Sequence, residues 1–250
     1  MKHKILAILL SVIFFGLAGY DNMVNGQNEK KSVIDIGSRL ELFTDYYLID
    51  KLDNVSLILH EPVDRGSVLK FDKPWEGPFS GYCTVINDGD LFRLYYRGVP
   101  TAGKDGKAEE HTCYAESKDG VTWIKPDVKL YESNGTLNNN VILANAAPVT
   151  HNFTPFLDTR KGVNPKQKYK ALGGIANTGL IPYVSEDGIN WSRLQEEPVI
   201  KPREHDFDSQ NVAFWSEKEQ LYICYFRTWV TYNDTRYRSV ARTTSKDFIN

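Results

Sequence analysis

The residues of this sequence best able to do chemistry are acids standing just ahead of apolar, strand-like runs. HDFDSQN, His205 to Asn211, leads into VAFW and carries Asp206 and Asp208. KPWEGPFSG, Lys73 to Gly81, leads into YCTVI in the same way and carries Glu76. Where the chain is already extended at Asp208, its side chain shares a face with Gln210 two residues on. A carboxylic acid facing a second carboxylate about 5–10 Å away is the equipment for general acid–base cleavage of a glycosidic bond. Asp208 and Glu76 are the carboxylates selected for that work. The competing reading of Asp208 is a turn residue that caps its own backbone.

Side chains suited to hydroxyl-rich ligands occur at matching positions. THNF, Thr150 to Phe153, brings His151 and Asn152 to the start of another apolar run, and Gln210 and Asn211 follow Asp208. Imidazoles and amides both donate and accept hydrogen bonds, as polyol recognition requires. Trp75 offers a flat wall for a sugar ring, set against the commoner fate of a buried aromatic. Arg97 closes a Tyr-rich run; its guanidinium would reach an anionic ligand or pair with a surface acid. Asp158 follows its run at the offset of Asp88 and Glu217, which assigns it to an outer turn with a structural role. No Cys/His spacing matches a zinc site, so neither a metal nor an organic cofactor is expected.

A repeat places these residues. SKDGVTW begins at Ser117, SEDGINW at Ser185 and SKDFIN at Ser245. Three β-rich runs precede each copy: GYCTVI, LFRLYYRG and TCYAES; then HNFTPFL, KYKALGG and LIPYVS; then QNVAFW, QLYICYFR and SVARTTS. Asp119-Gly120 and Asp187-Gly188 supply a tight turn, because Gly tolerates positive φ and Asp bonds its own backbone. Trp123 and Trp191 stand on the strand after that turn, sized to fill a seam between neighbouring units. Each unit therefore reads as a four-stranded antiparallel meander, and the series as blades of an all-β β-propeller. Three blades, the last stopped inside its turn, cannot close a ring, since propellers have four to eight. The chain is accordingly expected to be the front part of a longer protein. Leu40 to Leu48 and Val55 to Val63 are expected to form two further strands.

The ends and the composition add limits. Lys2 and Lys4 precede an apolar run from Ile5 to Ala18 that is short for a membrane span, which predicts a signal peptide over residues 1–19. A secreted or periplasmic protein follows, with no stable membrane insertion once the signal is removed. Residues 20–34 are polar enough to be disordered, leaving 35–250 for the partial propeller domain. With 30 basic and 32 acidic residues no basic face is advertised, which argues against nucleic acid as a partner. Cys83, Cys113 and Cys224 are too few and too scattered for a disulfide framework and are expected to be buried thiols.

The hairpin SKDFIN and the stretch VINDGDLFRLYYRG, Val85 to Gly98, resemble the five-bladed propellers of glycoside hydrolase families 32, 43, 117 and 130. The resemblance runs from about Leu40 to the end. It implies a five-bladed propeller in full length, about three blades of it here, and an oligo- or polysaccharide substrate. In family 43 the catalytic acids open the inner strands. The matching positions here are Gly81, His151 and Gln210, none a carboxylate, so that acid set does not carry over. A glycosidase with relocated acids, a non-catalytic glycan-binding propeller and a glycoside phosphorylase are the activities the resemblance leaves open.

Overall fold

The computed structural model describes residues 33–250 apart from 102 and 104, so the expected signal peptide lies outside the described residues. Two compact units are distinguished, one ending at Pro62 and one running from Val63 to Asn250. Among the described residues no helix is long and apolar enough to cross a membrane.

From Gly81 on, the runs of β-branched and aromatic residues become strands, because such side chains pack well on a pleated, half-buried surface. The first sheet holds β1 (Gly81–Asn87), β2 (Phe92–Gly98), β3 (His111–Ser117) and β4 (Val141–Leu143). The second holds β5 (Thr154–Leu157), β6 (Tyr169–Gly173), β7 (Ile181–Ser185) and β8 (Ser192–Arg193). The third holds β9 (Val212–Ser216), β10 (Leu221–Tyr232) and β11 (Thr235–Ser245). Each sheet is ordered as the chain runs, and every pairing is antiparallel. The opening strands β1, β5 and β9 lie side by side in that order. Successive meanders whose first strands share a hub are propeller blades.

Packing between the sheets fixes that arrangement. Ile86, Tyr95, Tyr114 and Ile142 of the first sheet bury themselves against Tyr169 of the second, with Leu157 and Trp191 at the edge. Phe156 and Leu172 of the second meet Ala213, Tyr222 and Phe226 of the third. Trp191 fills the first seam, its ring edge-on to Tyr95 at 6.2 Å and to Phe153 at 5.0 Å between centroids. Trp123 packs instead on the opposite face of the first sheet, with Leu94, Cys113 and Val141.

A polar joint recurs at the turns after β1 and β5. Asp88 accepts hydrogen bonds from Arg93 of its own sheet and from the Tyr169 hydroxyl of the next, the latter at 2.7 Å. Asp158 does the same with Lys170 of its own sheet and Tyr222 of the next, both at 2.6 Å. Burial, together with the hydrogen bond to Asp88, pushes the Tyr169 phenol up to about 12.

The repeated phrase closes each unit by one hydrogen-bond scheme. Ser117 Oγ accepts from Gly120 N, and Asp119 Oδ1 accepts from Val121 N and Thr122 N at 2.8 and 2.6 Å. Ser185 with Asp187, and Ser245 with Asp247, repeat these contacts. The Thr122 N–H, helped by Val121 N–H and the Ser117 hydroxyl, holds the Asp119 carboxyl well below the usual carboxylate range. The Asn250 N–H and side-chain amide do the same for Asp247. A folded-state depression stabilises above the unfolded value of about 3.9 and is lost as pH falls below it. Thermal unfolding followed from pH 5 to pH 2 should therefore show a steep loss, and Asp119→Asn should make it shallower.

Gly188 closes the second hairpin at φ 77°, and a Cβ there would lie 2.6 Å from the Tyr95 hydroxyl of the neighbouring sheet. Gly135 has φ 76° with open space around it. Gly135→Ala should cost about 1 kcal/mol through backbone strain alone. Gly188→Ala should cost about 2–3 kcal/mol, adding overpacking of the seam, as read by chemical denaturation.

Several expectations need correction. Residues 33–62 contain turns and bends but no strand, and Leu40, Leu42 and Leu59 are exposed, so the two strands expected there are not formed. The outer strand of the first sheet does not follow Trp123 directly. Ile124 makes a single bridge to Glu116, and β4 pairs with β3 only after a long excursion. Cys113 and Cys224 are buried, but Cys83 on β1 is exposed.

Candidate functional site

The entries to β1, β5 and β9 converge at one end of the hub, where a break in strand geometry aims the side chains. β1 begins with an irregularity between Gly81 and Thr84, and Tyr82 within it has φ 53°. That re-aims the Tyr82 ring out of the strand alternation, as bulges do. The loop before β9 carries His205 at φ 66° and Phe207 at φ 67° on either side of Asp206. Because β9 starts only at Val212, both Asp208 and Gln210 precede it, and the condition for their sharing a strand face is not met; Asp208 sits on this strained loop.

Asp208 stands open at this mouth, its side chain 44% exposed. Arg227 Nη1 binds Oδ2 at 2.6 Å, while Oδ1 receives only a long contact from the Tyr82 hydroxyl at 3.4 Å. Beside it is His151, on a single 3₁₀ turn ahead of β5 and fully buried, its ring edge-on to Tyr82 at 5.5 Å. His151 Nδ1 lies 3.1 Å from both oxygens of buried Glu110, and Nε2 lies 3.8 Å from Asp105 Oδ1. Asp105, His151 and Asp208 each offer a donor atom within 4.8 Å of the others. Asp105 and Glu110 come from the connection between β2 and β3, and Asp105 is half exposed.

Arg97 is at the mouth but fully engaged. Its Nε and Nη2 donate to the Phe79 carbonyl, its Nη1 to the His151 carbonyl, and its plane lies over the Phe79 and Tyr82 rings. Asn152 is buried, its amide facing the carbonyls of Gly174, Phe207 and Ser209 while Oδ1 accepts from Gly174 N. It ties the second sheet to the Asp208 loop, with no group left over for a ligand. Asn211 donates to the Phe207 and Ser209 carbonyls, and its buried Oδ1 is unpaired. Gln210 reaches across the hub, donating to the Cys83 carbonyl and Thr84 Oγ1 on β1. Below it the three opening strands enclose an open channel of about 340 Å³, lined by Thr84, Thr154, Gln210 and Val212 among others.

Glu76 and Trp75 lie elsewhere. The Glu76 side chain is sealed from solvent and accepts from Tyr96 Oη at 2.5 Å, Lys125 Nζ at 2.7 Å and Lys73 N at 3.0 Å. Trp75 is buried in the same cluster, its indole N–H donating to Asn140 Oδ1 at 2.7 Å. Glu76 and Asp208 share no partner, so they are not brought together across one bond. Tyr82, Asp105 and Glu110 were not singled out from the sequence. The signal available was the length of the acidic connection holding GKDGKAEE, long for a link between adjacent strands.

No family model matches this chain. It is 27% identical over 139 residues to an uncharacterized protein of Mycobacterium tuberculosis, a match covering 55% of this chain and 42% of that protein. Among solved structures it resembles the fructofuranosidase of Schwanniomyces occidentalis in complex with fructose, at 17% identity and TM-score 0.47 over 66% of this chain and 31% of that one. A glycosyl hydrolase from Bacteroides ovatus is similar at 17% identity and TM-score 0.44, over 69% of this chain and 50% of that one. A further similar structure belongs to the GH130 family, described as mannoside phosphorylases containing glycoside hydrolases for β-1,2 mannosidic linkages, at 16% identity and TM-score 0.41 over 65% and 45% of the two chains. The chain thus spans about half or less of each protein it resembles, and what it has in common with the solved glycoside hydrolases at these identities is a chain path.

Proposed function

We propose that this chain carries the axial site of an exported, carbohydrate-active propeller, a glycoside hydrolase that cleaves a glycan by carboxylate general acid–base catalysis. The observation that carries the reading is Asp208, an open carboxylate at the meeting point of three opening strands, with one oxygen anchored by Arg227 and the other available. A guanidinium-anchored carboxylate is held in one orientation, which suits a base or nucleophile. Asp105 is the second acid of this reading, taking the place first given to Glu76, because it alone of the two reaches the Asp208 neighbourhood. Tyr82 and His151 supply an apolar edge and a polar atom for the sugar.

A non-catalytic glycan-binding propeller is favoured by one specific feature, Gly81 where family 43 would place an acid at the head of the first inner strand. The test is a glycan panel incubated with the full-length protein, read as released reducing ends and as equilibrium binding. Turnover that Asp208→Asn removes supports hydrolysis. Binding without turnover supports recognition alone. Full turnover by Asp208→Asn would overturn the role given to this carboxylate.

A further inference from the structure

His151 Nε2 is buried and has no hydrogen-bond partner, although it lies 3.8 Å from Asp105 Oδ1 and its ring belongs to a cluster with Asp105 and Asp208. A buried polar atom left unpaired costs about 1–3 kcal/mol, so it calls for an occupant. The proton on the ring can be placed by counting partners. Glu110 is buried, and its carboxylate otherwise receives only the Gly106 N–H at 3.2 Å. Two donors also approach Nδ1, Arg97 Nη1 at 3.1 Å and Gly106 N at 3.4 Å, but each has another acceptor, the His151 carbonyl and Glu110 Oε1 respectively. In this assignment Nδ1 keeps its proton and donates it to the Glu110 carboxylate, and the Nε2 lone pair faces the mouth. A histidine oriented by a carboxylate behind it is the arrangement that supports metal ligands.

We propose that Asp105, His151 and Asp208 form a divalent-cation site at the axial mouth, ligated by His151 Nε2, Asp208 Oδ1 and Asp105 and backed by Glu110. One imidazole with two carboxylates suits a transition cation of the Mn²⁺ or Zn²⁺ type better than Ca²⁺, which takes oxygen ligands almost throughout. The three donors now lie up to 4.8 Å apart, wider than ligands around one such ion, and Asp105 on its exposed connection is the one free to close. Asp208 Oδ2 stays with Arg227, so ligation uses the oxygen that has no strong partner. Three protein ligands leave open positions for water or for a pair of sugar hydroxyls. The inference shares Asp105, His151 and Asp208 with the glycosidase reading but does not require it, since an ion would bind with no glycan present.

The experiment uses full-length protein treated with EDTA and dialysed, then titrated with MnCl₂ or ZnCl₂ alone by calorimetry and thermal unfolding. One ion per chain is expected, with a higher Tm when loaded. Asp105→Asn, at a half-exposed position, should fold normally and bind at least tenfold more weakly. Glu110→Gln should weaken binding by about 10–100-fold. Bound Mn²⁺ should show nitrogen coupling from imidazole in pulsed electron paramagnetic resonance, absent in His151→Gln; should that variant not fold, Asp105→Asn and the wild-type nitrogen signal decide. Absence of saturable binding, equal affinity in Asp105→Asn, or Mn²⁺ without nitrogen coupling would overturn the site. Glycan turnover by the EDTA-treated protein is scored separately. Turnover without metal binding sinks only this inference, and metal binding without turnover sinks only the hydrolase.

Discussion

Asp208→Asn is expected to lower kcat/KM on the best glycan of a panel by about 10²–10⁴-fold, the usual range for removing a positioned acid or base. Stability should hardly change. The carboxylate is nearly half exposed, and an Asn oxygen still accepts from Arg227, so the loss should stay within the roughly 1 kcal/mol of a surface pair. The signature is thus a large kinetic effect with an unmoved denaturation midpoint. Equal losses in both would mean that Asp208 serves the fold through Arg227 and not the reaction. The strained backbone at His205 and Phe207 points the same way, because strain on a loop is retained where it places a functional group.

Glu76 should behave in the opposite manner. Its side chain is fully buried against Lys125, whose side chain is itself only 10% exposed. Glu76→Ala strands that charge and should cost about 3–5 kcal/mol. For a domain of this size that corresponds to a fall in Tm of about 6–20 °C. Replacing both partners, as in Glu76→Gln with Lys125→Met, should recover most of the loss, since the burden lies in the uncompensated ion. Thermal unfolding of the single and double variants reads this directly. A single variant with wild-type Tm would show that the pair contributes nothing and would reopen a chemical role for Glu76.

The strands were legible because their period-2 pattern is local. β1 to β3, β5 to β7 and β9 fall within a few residues of the runs GYCTVI to QNVAFW. The hairpins were legible for a similar reason, since Ser117, Asp119 and Gly120 satisfy one another within four residues. β4 was not, because its pairing partner is fixed by a loop excursion and not by the turn that precedes it. The site was half legible. His151 and Asp208 could be found by register, since a repeated unit tells where each opening strand begins. Asn152 was found by the same logic, but the sequence could not show that its amide faces the carbonyls of Gly174, Phe207 and Ser209. Asp105 and Glu110 were hidden by belonging to a connection with no period at all. Tyr82 was hidden by the bulge that breaks the one it had.

The joints at Asp88 and Asp158 reach beyond local stability. The first two modules wear an acceptor on the leading turn, and the second and third carry a phenol on the next strand that meets the acceptor of the predecessor, so the second module carries both. A gene segment encoding such a module therefore encodes both plug and socket. A tandem copy would seat on its parent in a single orientation without any new surface having to arise, which makes growth of the array by duplication an easy route for this architecture.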